Sequence, residues 1–214
     1  MGKREDTFGD ILETSGFKTT TGFLQYPKKD DVYDSALNVD IQNVYEELGG
    51  LLDPFPLNLR KWDIEVEDIA VELDEFLHFN RYRLQTLNSS LYSKLKKFPI
   101  DGYKTYCSSY ESKCLSAGSY GGKWSNNSCV NQFGEGSEPG DLSGNGSPRW
   151  KQRAFYDFVK DFNFLLYGVP MVRISIWDKI QVNGLTYNVG QILDTEMYSV
   201  GEQLYELIKS RVEI

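Results

Sequence analysis

The chain has 214 residues, 40% hydrophobic and 14% aromatic, which is enough apolar surface for a real core and excludes a disordered chain. A formal net charge of -8 argues against adhesion to a phosphate backbone, so no direct sequence-specific nucleic-acid binding is expected. No apolar run approaches the ~20 residues of a membrane span, and the charged opening Met1 to Asp6 lacks the apolar segment of a secretion signal, so synthesis in the cytoplasm and no membrane partner are expected.

One α+β domain is expected over 1–214. Residues 1–33 show no sustained periodicity and read as an extended N-terminal arm with a short strand near Phe23 to Tyr26. Residues 34–100 read as a helical part. Asp34 caps a helix carrying Leu37, Ile41, Val44, Tyr45 and Leu48 on one face, stopped by Gly49-Gly50, and Leu51 to Leu57 forms a proline-stiffened connector. The repeat of Ile69, Leu73, Phe76, Leu77 and Leu84 predicts a long helix over about Ile64 to Leu87, its acidic first turns a solvated face that complements the helix dipole. A short helix around Ser89 to Lys97 follows.

Residues 101–146, rich in Gly, Ser, Asn and Tyr, read as an irregular insertion held in place by its aromatic residues, among them Tyr120 and Trp124. Its cysteines, Cys107, Cys114 and Cys129, are odd in number and irregularly spaced, which favours free thiols over a disulfide set or a zinc site. Residues 147–214 read as a helix, hairpin, helix module. Ser147 and Pro148 start a helix with Trp150, Ala154, Phe155, Phe158, Phe162 and Leu165 on its apolar face. Strands over Val172 to Ile176, Lys179 to Val182 and Leu185 to Val189 follow, with Asn183-Gly184 the residue pair that a type I′ turn favours. Ser199-Val200-Gly201-Glu202 has capping-box spacing ahead of a terminal amphipathic helix.

The candidates for chemistry each meet a plainer reading. Asp141 to Gly146 places oxygen side chains at calcium-loop positions, yet the twelfth position is Gln152 rather than a bidentate Glu, and a turn into a helix cap accounts for the same residues. His78, the sole histidine, lies among Phe76, Leu77 and Phe79 and reads as an ordinary packed or helix-surface residue rather than a catalytic base. No nucleotide-binding glycine motif or nucleophile elbow is present, and no carboxylate pair stands out among 31 acidic residues. Catalytic, cofactor-binding and metal-ligating residues are therefore expected to be absent.

The run Ile180 to Val189 resembles the hairpins of small head-to-tail connector, neck and tail proteins of tailed bacteriophages, and a helical half joined to a small β element resembles phage connector adaptors. That resemblance implies a non-enzymatic virion structural protein, a ring-forming homo-oligomer whose partners are other virion proteins, located in the virion after synthesis in the host cytoplasm. It makes Trp177, Asn183, Gly184 and Tyr187 interface candidates, and the aromatic insertion, read as packing against a neighbouring subunit, adds Tyr120 and Trp124. An acidic inhibitor of a basic partner and a carboxylate-dependent glycan hydrolase are the rival readings.

Overall fold

A computed structural model describes residues 2–213. The fold is α+β, as the sequence predicts, but the sheet lies where a long helix was expected. Helix α1 (Lys3–Thr14) occupies the predicted arm and buries Phe8, Ile11 and Leu12 completely. Strand β1 (Thr19–Thr20) comes next, four residues ahead of the strand read near Phe23, and Phe23 itself is exposed. Helices α2 (Lys29–Tyr33) and α3 (Asn38–Glu47) follow, and α3 buries Ile41, Val44 and Tyr45 as its spacing predicts.

Strands β2 (Ile64–Val66) and β3 (Ile69–Asp74) replace most of the predicted helix. Ile64, Val66, Ile69 and Val71 are β-branched and fit a pleated surface, and Glu67 at φ 52° turns the chain between them. The apparent helical repeat mixes two structures. Ile69 and Leu73 belong to β3, whereas Phe76 and Leu77 lie in a single 3₁₀ turn and Leu84 in the short helix α4 (Arg81–Thr86), capped by the Asn80 side-chain oxygen Oδ1, which accepts the N–H groups of Tyr82 and Arg83.

The predicted irregular insertion is largely helical. Helix α5 (Ile100–Gly118) is 19 residues long and buries Tyr103, Cys107, Cys114 and Gly118 at helical spacing. Serine and glycine at its other positions hide that period in the sequence. Helix α6 (Asn127–Phe133) completes the region. Cys107, Cys114 and Cys129 are free and buried, and burial pushes the thiols of Cys107 and Cys114 up to about 12, which makes them poor nucleophiles.

Helix α7 (Pro148–Asp161) starts at the predicted Ser147 cap and carries its aromatic face into the core. It leads through α8 (Asn163–Tyr167) to β4 (Met171–Ser175), β5 (Lys179–Val182), β6 (Leu185–Asn188), α9 (Val189–Asp194) and α10 (Gly201–Ser210). The predicted capping box at Ser199 is absent: α10 begins at Gly201 with no side-chain cap.

The main sheet runs β1-β2-β3-β4, antiparallel except for the parallel β3–β4 pair, and β5–β6 forms a separate hairpin. Residues 172–176 thus join the main sheet rather than the hairpin. One sheet face, with Val71, Leu73, Val172 and Ile174, enters the main hydrophobic core. The other, with Ala70, Glu72 and Asp74 beside Met171, Arg173 and Ser175 in register, meets α7, and charged residues of both are buried there.

Candidate functional site: a buried charge layer beside a cationic groove

Strand alternation puts Glu72 and Asp74 on one face of β3, and the parallel register sets Arg173 beside Glu72. Asp157, Lys160 and Asp161 project onto the same layer from the last turns of α7, where i, i+3 and i+4 positions share a face. All six side chains are buried. Charges in such a place are tolerated only when paired.

Arg173 is the centre of the layer. Its Nη1 donates to Asp74 Oδ1 at 2.6 Å, its Nη2 to Asp157 Oδ1 at 3.2 Å, and its Nε to Asp161. Arg83 Nη2 donates to Asp161 Oδ2 at 2.6 Å, where the Tyr92 hydroxyl also donates, and the Tyr103 hydroxyl donates to Asp74 Oδ2 at 2.8 Å. Asp74, Asp157 and Asp161 against Arg83 and Arg173 leave one negative charge over.

His78 supplies the balance. Its Nδ1 lies 2.7 Å from Asp157 Oδ2 and 3.1 Å from Asp74 Oδ1. Burial opposes the imidazolium, but Asp157 and Asp74 outweigh it and raise the His78 pKa above its ordinary 6.5. Burial likewise opposes the Asp157 carboxylate, and His78 and Arg173 override it to hold that pKa well below the usual range. His78, Asp74 and Asp157 also have the donor types of a metal site. Arg173 already engages both carboxylates, so the trio is better matched to a proton.

A second pair lies along the same face. Asp63 continues the β2–β3 register to stand opposite Glu72, and its Oδ2 accepts the Leu73 N–H at 3.0 Å. Lys160 Nζ donates to Glu72 Oε1 at 2.5 Å and lies 5.0 Å from the centre of the Trp62 ring. Burial first, and Glu72 second, push the Asp63 carboxyl up to about 7, while burial raises Glu72 against the pull of Lys160 and Arg173. Lys160 compensates Glu72, and among the described residues Asp63 is the carboxyl of the pair left without a cation beside it.

Lys160 also lines a groove of about 340 Å³, together with Arg60, His78, Arg149, Arg153 and Asp157. The net charge of -8 is a whole-chain sum, and this concave surface carries the opposite sign. Glu72 is hidden in the sequence because the predicted helix over Ile64 to Leu87 puts it on a solvated face, and Asp63 and Lys160 carry no local signal of their own. His78 is packed against the charge layer and pairs with Asp157 and Asp74 there. The available clue was the polar alternation Glu72-Leu73-Asp74, ending four residues before the sole histidine.

The residues named as interface candidates are not gathered in one place. Asn183 and Gly184 are exposed at the hairpin tip, Tyr187 is half-buried, and Tyr120 is exposed near Lys123. Trp177 is half-buried and stacks on Tyr110 with ring centres 3.7 Å apart. Trp124 is 2% exposed and packs edge-on against Trp150, so it is a core residue and not a contact surface. The calcium-like loop is also built otherwise: Asp141 Oδ1 accepts the Ser143 N–H, and the Asn145 amide holds the carbonyls of Phe133 and Glu135.

Among the described residues no helix is long and apolar enough to cross a membrane. No curated protein and no solved structure matches the chain. Residues 43–195, which include β2, β3, α7, β4 and therefore the whole charge layer, match a family of unknown function (DUF7255), and the chain belongs to that family.

Proposed function

We propose that this protein hydrolyses phosphodiester bonds in nucleic acid, without reading sequence, at the Asp63–Glu72–Lys160 cluster. The observation that carries the reading is the double position of Lys160, which binds Glu72 at 2.5 Å and also lines the cationic groove. A carboxylate pair is thereby coupled to a surface suited to a polyanion. A divalent cation held by Asp63 and Glu72 would polarise a phosphoryl oxygen, and the groove cations would neutralise the strand. A neutral glycan would gain nothing from that groove, which disfavours the glycan-hydrolase alternative.

The test is cleavage of a mixed-sequence oligonucleotide, and of bis(p-nitrophenyl) phosphate, with Mg²⁺ or Mn²⁺. Activity should vanish with EDTA and fall by at least about 100-fold in Glu72→Gln, the scale on which one electrostatic group in a site acts. Absence of activity towards both substrates with either metal, in a folded sample, would sink the reading.

One observation favours a second reading, that of a non-enzymatic virion assembly protein. The β5–β6 hairpin stands apart from the main sheet and leaves Leu185 60% exposed. An exposed strand pair is a ready surface for a neighbouring subunit. Analytical ultracentrifugation alone and with virion proteins tests it: rings or stoichiometric complexes support assembly, and a monomer in every mixture removes it.

A further inference from the structure

We propose that Arg149 and Arg153 form a phosphate-binding subsite, which grips a nucleic-acid strand about three nucleotides from the bond placed at Lys160. The proposal rests on the reading of the groove as a nucleic-acid site. Arg153 lies one helical turn before Asp157, where an ion pair would ordinarily form. It does not form, because Asp157 engages Arg173 with one oxygen and His78 with the other. Among the described residues the Arg153 guanidinium has neither a hydrogen-bond acceptor nor a carboxylate within ion-pair distance. Burial lowers its pKa, the charge of Asp157 opposes that, and the neighbouring Arg149 adds to it. A half-buried guanidinium at a groove wall, with no counter-charge in contact with it, is matched to an external anion.

Arg149 stands one turn earlier on the same face of α7 and is held there. Its Nη1 donates to Gln152 Oε1, and the Gln152 amide donates to Ser128 Oγ at 3.2 Å, so α6 fixes the side chain from the opposite wall. Two guanidinia a turn apart make a fork for phosphate oxygens. Seven residues separate Arg153 from Lys160, about 10 Å at ~1.5 Å per residue. At ~3.4 Å of rise per nucleotide along a strand, that spans about three nucleotides.

The experiment is fluorescence anisotropy of a labelled single-stranded 12-mer with wild-type protein, Arg153→Met and Arg149→Met, over a range of salt concentrations, with thermal unfolding of each protein. Each substitution should weaken binding about tenfold and reduce the slope of log K against log salt by about 0.7, the value for one lost phosphate contact on a single strand. Arg153→Met should leave the unfolding temperature unchanged or higher. Unchanged 12-mer affinity in Arg153→Met would overturn the subsite, as would a lowered unfolding temperature, which would mark Arg153 as structural. Displacement of the 12-mer by micromolar inorganic phosphate would also overturn it, assigning the groove to a small free anion. Hydrolysis of bis(p-nitrophenyl) phosphate reports on the catalytic cluster alone. Weakened 12-mer binding without that hydrolysis would leave the subsite standing and remove the catalytic reading, and hydrolysis with unchanged 12-mer binding would do the reverse.

Discussion

Asp63 stands opposite Glu72, one step beyond the last assigned β2–β3 pair, and accepts the Leu73 N–H at 3.0 Å. Facing carboxylates across a strand pair destabilise each other, and burial with this repulsion pushes the Asp63 carboxyl up to about 7. The folded protein therefore holds a proton that the unfolded chain releases near its ordinary value of 3.8. Stability is lost as the pH rises from that value to about 7 and is level above it. Asp63→Asn removes the ionisation while keeping an acceptor for Leu73. The variant should match wild type near pH 4 and exceed it increasingly up to pH 7, as measured by urea unfolding. A stability difference independent of pH would show that Asp63 is not titrating there.

His78 offers a direct probe of the charge layer, since a sole histidine gives one imidazole resonance. Asp157 and Asp74 raise its pKa in the folded state, so the paired imidazolium contributes stability that is complete below the unfolded value of 6.5 and lost as the pH rises through the folded value. The NMR titration midpoint should lie above 6.5, and the stability advantage of wild type over His78→Gln should shrink as the pH climbs past it. A midpoint below 6.5 would mean that burial dominates and that the layer carries its excess negative charge uncompensated.

Arg173 joins Asp74, Asp157 and Asp161 from a position on β4 with no exposed surface in its side chain. Replacing it with Met leaves three carboxylates to Arg83 and His78. Loss of one partner from a buried ionic group costs about 3–5 kcal/mol, and urea unfolding of Arg173→Met should show a loss of that size. The contrast with Arg153→Met, on the groove side of α7 and unpaired, separates a structural arginine from a ligand-facing one.

How much of this was legible depended on whether a local pattern had one physical cause. The α7 cap and aromatic face could be read directly, because Ser147, Pro148 and the run from Trp150 to Phe162 all specify one helix. The Asn183-Gly184 turn was equally clear, with both residues at positive φ. At Ile64 to Leu87 the spacing of apolar residues fits a helix by coincidence, while the β-branched residues and the Glu72/Asp74 alternation fit strands. The parallel contact of β3 with β4 then decides the matter across about 100 residues of sequence, and no local window contains it. The charge layer was invisible for the same reason: its members come from β3, the 3₁₀ turn at His78, α4, α7 and β4, with Asp63 just ahead of β2, and each looks like an ordinary surface charge in isolation.

The hairpin tip separates the two functional readings. Gly184 has φ 79° with nothing near an added Cβ, so Gly184→Val meets backbone strain and no clash. A left-handed conformation costs a β-branched residue on the order of 1–2 kcal/mol. The hairpin contributes Ile180 to the core but lies outside the main sheet, so hydrogen exchange should accelerate in β5 and β6 while β3 and β4 stay protected. If the protein acts at Asp63, Glu72 and Lys160, Gly184→Val retains hydrolysis of bis(p-nitrophenyl) phosphate. If it assembles through the hairpin, the same substitution abolishes complex formation in sedimentation. Loss of assembly with a loosened hairpin and an intact main sheet would assign function to the tip, and full hydrolysis with unchanged sedimentation would assign it to the charge layer.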